Sequence, residues 1–324
     1  LFCVWRIALA NADGAPQHTN ATQTQSWLAR LHARPWWVDM LVLSTMWGSS
    51  FMFTKVITQD IGPMPAAFGR VAVAFACLLP LLALRGELPT LRAHWRRIML
   101  LGILNSGIPF AAYSIAMLTV PSSTGAIINA ATPLFGAVIA WVWLKDKLTL
   151  SQMVGLVIGF VGVTLLALQN ASEAPAAELG SYIIGIAVCI AAPIFYGISA
   201  SFTKRYCKDV PPTVSATGSQ LGATLFLAPL AWLYWPAQGI QSGTIASLVI
   251  LGVFCTGFAY ILFFRMIAMV GATKALSVTF AVPVFAAFYG VTFLGEHITP
   301  YMVACAAVIL AGISLSTGLL RPFK

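Results

Sequence analysis

Long apolar runs separated by short polar connections set the pattern of this chain. Runs with few or no charges fall at about 37–57, 66–84, 98–117, 122–143, 151–169, 182–203, 213–235, 244–264, 272–294 and 300–319. Each is close to the roughly 20 residues that a helix needs to cross a bilayer. None alternates apolar and polar positions over about ten residues, as barrel strands do. The pattern predicts an all-α membrane protein with ten transmembrane helices, numbered here as spans 1 to 10.

Composition agrees. The 324 residues are 59% hydrophobic and 8% charged, against roughly 45–50% and about 25% in soluble domains. The net charge of +9 would suggest nucleic acid in a soluble protein, but here it distributes by side. If the chain crosses at every span, one face receives Arg6, Arg30 and Arg34; Arg85, Arg92, Arg96 and Arg97; Lys145 and Lys147; Lys204, Arg205 and Lys208; and Arg321 and Lys324. The other face has Lys55, Glu173 and Glu178. The positive-inside rule then puts both termini in the cytoplasm and accounts for the charge without a nucleic-acid partner. Arg265 and Lys274 join the inner side if they sit at helix ends. Leu1 to Ala10, interrupted by Arg6, is too weak for a signal peptide, and residues 1–35 read as a mobile cytoplasmic tail. Cys3, Cys77, Cys189, Cys207, Cys255 and Cys305 form no CxxC pair and read as small apolar residues.

Sliding the chain on itself exposes a repeat. Gly48-x-Ser50-x-x-Phe53-Thr54-Lys55, then Asp60 and Pro63, matches Gly197-x-Ser199-x-x-Phe202-Thr203-Lys204, then Asp209 and Pro212. Pro133 pairs with Pro283, Phe135 with Phe285, Leu144-Lys145-Asp146 with Leu294-Gly295-Glu296, Thr149 with Thr299 and Gly162 with Gly312. The expected organisation is a first repeat over 36–170, an outer linker over 171–180, a second repeat over 181–320 and a cytoplasmic end at 321–324. Five spans per repeat is odd, so the second enters the membrane from the opposite side. Two inverted five-helix repeats around a midplane site are the architecture of alternating access.

These residues also carry a family likeness. Trp47-Gly48-Ser49-Ser50-Phe51, the stretch from Pro65 to Arg70, Pro283-Val284-Phe285 and Phe293-Leu294-Gly295-Glu296-His297-Ile298-Thr299, with the small-residue span 10, resemble EamA-type members of the drug/metabolite transporter superfamily. The resemblance covers about 37–319, and it is the doubled pattern that makes it specific. It implies a ten-helix exporter of metabolites, amino acids or drugs in a bacterial cytoplasmic (inner) membrane. The first half departs from it, with Lys145-Asp146-Lys147 where the second has Gly295-Glu296-His297.

Polar and aromatic residues on helical faces mark a candidate substrate site: Trp47 and Ser50 in span 1, Asn105 and Tyr113 in span 3, Asn129 in span 4, Tyr196 and Ser199 in span 6, Tyr260 in span 8 and Thr279 in span 9. In lipid such groups need partners from protein, substrate or cavity water, and interhelical hydrogen bonding is the competing explanation for each. Pro133 and Pro283 should loosen backbone bonding and permit helix bending. Arg70, inside span 2 and matched by Ser219 in the repeat, is either a substrate ligand or a snorkelling anchor to the outer headgroups. Asp146 and Glu296 read as turn organisers ahead of the helix caps Thr149 and Thr299 rather than as proton carriers.

No Asp or Glu lies deep in a span. A proton-coupled exporter of cationic drugs would use a buried Glu in span 1, and span 1 has none. An anionic or zwitterionic substrate could use Arg70, so the expected substrate is an amino-acid-like or carboxylated metabolite, with a hydrophobic-cation or multidrug exporter as the alternative. An intramembrane enzyme is disfavoured: His18, His32, His94 and His297 lie in the tail, loops or a span end, and no metal or nucleophile motif accompanies them. A channel is the remaining rival. No GxxxxGK[ST] loop occurs, and neither cofactor nor metal is expected. Both repeats lie in one chain, so a monomer suffices, with the lipid bilayer and a small-molecule substrate as its partners.

Overall fold

The computed structural model describes residues 36–173, 177–270 and 278–317. The expected tail over 1–35, the end at 321–324, Lys274 and part of the 171–180 linker lie outside them. Among the described residues there is no strand, and a helix lies within every predicted span. The helices are α1 (Trp36–Ile61), α2 (Pro63–Leu84), α3 (Trp95–Ala116), α4 (Ser122–Leu144), α5 (Leu150–Glu173) and α6 (Leu179–Tyr206). They continue with α7 (Pro212–Leu233), α8 (Ser242–Val249, Ile250–Phe258 and Ala259–Val270 end to end), α9 (Val278–Leu294) and α10 (Pro300–Ser316). A short helix at Leu88–Ala93, not foreseen from the sequence, sits between α2 and α3.

Seven of these, α1 to α6 and α8, are long and apolar enough to cross a membrane. The described parts of α9 and α10 have 17 residues each. The 22-residue α7 begins on a polar stretch containing Thr213, Ser215, Thr217, Ser219 and Gln220.

Local chemistry explains the ends. Pro63 and Pro212 open α2 and α7, where a missing N–H costs nothing. Thr149 and Gln152 form a reciprocal cap on α5: Gln152 N–H donates to Thr149 Oγ1 at 3.3 Å and Thr149 N–H to Gln152 Oε1 at 2.8 Å. Thr299 accepts from Met302 N–H at 3.2 Å ahead of Pro300. Both are the caps the sequence anticipates. The turns after α4 and α9 share one geometry: Lys145 at φ 59° and Gly295 at φ 64° are both left-handed. Asp146 N–H then returns to Ala140 O at 3.3 Å, and Glu296 N–H to Gly290 O at 3.0 Å. The departure from glycine at Lys145 leaves the turn unchanged.

Three helices widen into π-turns, at Ile103–Gly107, Ala140–Leu144 and Ile250–Phe258. In α3 the cause is Pro109, which has no N–H to return to Asn105 O. In α8 the Thr256 hydroxyl donates to Leu251 O at 2.9 Å, five residues back. Of the two prolines expected to bend helices, Pro133 follows a break at Ala131 in α4, and Pro283 lies inside α9.

The main packing pairs are α1 with α9, α6 with α4, α3 with α7, α8 with α2, α3 with α6, α8 with α1, and the pairs α2–α7, α4–α9 and α5–α10. Each joins the first five helices to the last five, and exchanging every helix for the one five places away returns the same set. The tightest approach is α5 on α10. A Cβ on Gly155 would stand 2.5 Å from Ser316 N, and Gly312 lies directly against the backbone of Gly159. Small residues let these backbones touch.

Candidate functional site

A cavity of about 240 Å³ opens between α1, α2, α3, α4, α6, α8 and α9. Trp47, Ser50, Arg70, Asn105, Tyr113, Asn129, Tyr196, Tyr260 and Thr279 line it, which brings together nine of the ten residues singled out from the sequence. Ser199 is the exception. It stands behind the wall and donates to Asn105 Oδ1 at 3.1 Å, with Tyr196 O a second acceptor at 3.0 Å. Its place is as support for Asn105 rather than as a lining residue. Facing the same turn of α6 as Tyr196 did not suffice, because α3 packs directly over it.

Hydrogen bonds fix the polar lining. Asn105 Nδ2 donates to Tyr260 Oη at 3.1 Å, tying α3 to α8. Tyr113 Oη donates to Asn129 Oδ1 at 2.7 Å, tying α3 to α4. Tyr113 also packs edge-on against Phe51 and lies 6.4 Å from Tyr196 between ring centroids, while Trp47 packs on Phe263 at 5.3 Å. The cavity is therefore an aromatic shell with a few oriented hydroxyl and amide groups.

Arg70 supplies its charge. The residue is 8% exposed, its guanidinium carbon lies 3.8 Å from the centroid of the Phe110 ring, and Nε donates to Thr256 Oγ1 at 3.1 Å. The side chain turns into the cavity and forms part of its lining. The cation–π contact and the Thr256 bond offset part of the desolvation cost of a buried cation. Among the described residues no carboxylate lies within ion-pair distance of it; the pairs formed are Lys55–Glu296, His94–Asp209, Arg97–Asp209, Lys204–Asp146 and Arg265–Asp39. The N–H groups on its two terminal nitrogens are thus available to an occupant.

Thr54, on the same face of α1 as Trp47 and Ser50, also lines the cavity, and sequence reasoning missed Phe51, Phe110, Thr132, Cys255, Thr256 and Phe263, which do so too. The phenylalanines carry no signal that separates a cavity face from a lipid face. Cys255 and Thr256 sit in a π-turn, where the spacing rule of an α-helix assigns the wrong face. Asp146 and Glu296 do more than organise turns, since each is ion-paired to a lysine of the other half. Among the described residues no group of three or more His, Cys, Asp or Glu side chains is placed to hold a metal.

Comparison with known proteins converges on one group. The sequence pattern of the EamA-like transporter family matches this chain twice, over residues 35–168 and 183–318. An uncharacterized transporter of Archaeoglobus fulgidus is 24% identical over 86% of this chain and 96% of its own length. The uncharacterized transporter YoaV of Bacillus subtilis is also 24% identical, over 86% and 96%. A probable terminal-alkyne amino-acid exporter of Streptantibioticus cattleyicolor is 23% identical, over 86% and 92%. A crystal structure with 18% identity superposes with a TM-score of 0.63 over 88% of this chain and 98% of that one, which shows a common fold. The helices, the doubled sequence and these likenesses agree: the chain is a multi-pass membrane transporter and not an enzyme, and it belongs to the EamA-like transporter family of the drug/metabolite transporter superfamily.

Proposed function

We propose that this chain is a secondary transporter that exports small amino-acid-like or carboxylated metabolites across the cytoplasmic membrane by alternating access. In this reading α7, α9 and α10 cross the membrane with the other seven helices, both termini are cytoplasmic, and the two halves are inverted repeats. The exchange symmetry of the helix pairs and the shared turn at Lys145 and Gly295 support that arrangement. One observation carries the substrate class: a buried guanidinium, without a carboxylate partner among the described residues, faces an aromatic-lined cavity. A substrate carboxylate would complete its charge through hydrogen bonds of about 1.5–3 kcal/mol each, where a cation would be repelled. The likeness to a probable terminal-alkyne amino-acid exporter supports the same reading.

The test is counterflow in proteoliposomes. Vesicles loaded with a panel of unlabelled amino acids and short carboxylates should accumulate the same labelled compound transiently, and organic cations should give none. Accumulation of cations alone would favour the hydrophobic-cation reading, for which the aromatic lining is the supporting feature. Non-saturable leak without counterflow would favour a channel. Orientation has its own check: an impermeant maleimide outside intact cells should label a cysteine placed at Ser172 and miss one placed at His94.

A further inference from the structure

Lys55 closes on Glu296 at 3.3 Å, and Lys204 closes on Asp146 at 2.8 Å. The two lysines are repeat counterparts, and so are the two carboxylates, yet each pair joins opposite halves. In the proposed topology the first pair lies at the outer mouth and the second at the inner one. A second matched set repeats the pattern. Asp60 accepts from the Thr244 hydroxyl at 2.5 Å on the outer side, and its counterpart Asp209 lies 3.9 Å from Arg97 on the inner side.

The matched pairs differ in their surroundings. Side chains of Lys55 and Glu296 are 18% and 8% exposed, against 60% and 48% for Lys204 and Asp146. Glu296 also sits on the N-terminus of α4, where it accepts from Ser122 N–H at 2.6 Å, from Ser123 N–H at 3.0 Å and from the Ser123 hydroxyl at 2.6 Å. Asp146 is an exposed ion pair, of the kind that contributes little in water. Burial raises the affinity of the Glu296 carboxyl for protons, but the bonds from Ser123 and Ser122 and the charge of Lys55 outweigh it and hold the group below its ordinary value. It is therefore a carboxylate at neutral pH.

We infer that Glu296, clamped between Lys55 and the start of α4, is the latch of the outer mouth, and that Asp146 with Lys204 is the weaker latch of the inner mouth. The inference rests on the alternating-access reading. It assigns the two acidic residues a positioning role: neither touches the cavity, and each holds one end of α4 or α9 against α1 or α6. Release to the outside must break the bonds of Glu296 while those of Asp146 persist, and loading from the inside requires the reverse. Because the outer latch has more bonds and less water, the carrier rests closed to the outside. Asp39 of α1, 3.4 Å from Arg265 of α8, adds an inner contact; its repeat counterpart is the apolar Val188.

The test needs no substrate. In the full chain with its natural cysteines replaced by alanine, Thr132→Cys places one thiol in the cavity wall. Its reaction with an impermeant maleimide is timed from outside in intact cells and from inside in inverted vesicles. Glu296→Gln and, separately, Lys55→Gln should speed outside labelling by about tenfold, the loss expected for one charge-assisted hydrogen bond. Asp146→Asn should speed only inside labelling. Outside rates unchanged in both outer variants, at matched expression and gel-filtration profile, overturn the latch. A parent protein labelled at equal rates from both sides, with every variant likewise, overturns alternating access itself and the latch with it.

Discussion

Arg70 is held by Thr256: the guanidinium Nε donates to the threonine hydroxyl at 3.1 Å, and that hydroxyl in turn donates to Leu251 O at 2.9 Å. The π-turn of α8 thereby fixes the direction of a charge carried on α2. Arg70→Gln should weaken anionic or zwitterionic substrates by roughly ten- to hundredfold and spare neutral ones. Arg70→Lys should retain part of the effect, because it keeps the charge and loses the fork. Initial counterflow rates across a panel of charged and neutral compounds check this, and equal rates for wild type and Arg70→Gln would remove Arg70 from the site.

Lys145 occupies a left-handed conformation at φ 59°, where its counterpart is glycine. A side chain in that region costs about 1–2 kcal/mol, partly offset by the greater unfolded freedom of glycine. Lys145→Gly should therefore stabilise the protein by about 0.5–1 kcal/mol. Thermal unfolding of the purified protein in detergent, read by tryptophan fluorescence, should show the midpoint rise.

Gly155 has no room for a methyl group: Ser316 N lies 2.5 Å and Gly312 O 2.6 Å from the Cβ position. These neighbours are backbone, so α5 and α10 would have to separate. Gly155→Ala should destabilise by about 1–3 kcal/mol, seen as a lower unfolding midpoint. The same change at Gly180, where nothing lies within 4 Å of the Cβ position, should leave the midpoint in place.

The depressed Glu296 carboxyl sets a pH expectation. A carboxylate bound more tightly in the folded state contributes stability above its unfolded value and loses it only as pH falls through the folded one. The outside labelling rate of the cavity thiol, taken at each pH as a ratio to the rate in Glu296→Gln because the thiolate fraction itself falls with pH, should stay flat from neutrality to about pH 5, the ordinary glutamate value being about 4.3. It should rise below that range. A rise already near pH 6 would contradict the direction of the shift.

Helix positions were legible because a membrane helix declares itself by length and apolarity, and because the halves repeat. The cavity was largely legible for a related reason. In an apolar span each Asn, Tyr or Trp stands out, and Asn105, Tyr113, Asn129, Tyr196 and Tyr260 do line one space. What was hidden depended on contacts across the halves. Thr256 needed the π-turn, Ser199 needed the neighbouring α3, and Glu296 needed Lys55, 241 positions away. Only the folded backbone brings those partners together.

The mismatch of Arg70 with Ser219 bears on why both halves share one chain. An assembly of two identical half-length copies would carry every substitution twice. An arginine on one copy's second helix would reappear on the other's, and two guanidiniums without carboxylates would have to share one small space. Covalent union removes that coupling: one copy can acquire the charge while the other keeps a short hydroxyl, folded back on Ala216 O at 2.8 Å. A single chain can thus evolve a lopsided binding site within a frame that stays nearly symmetric.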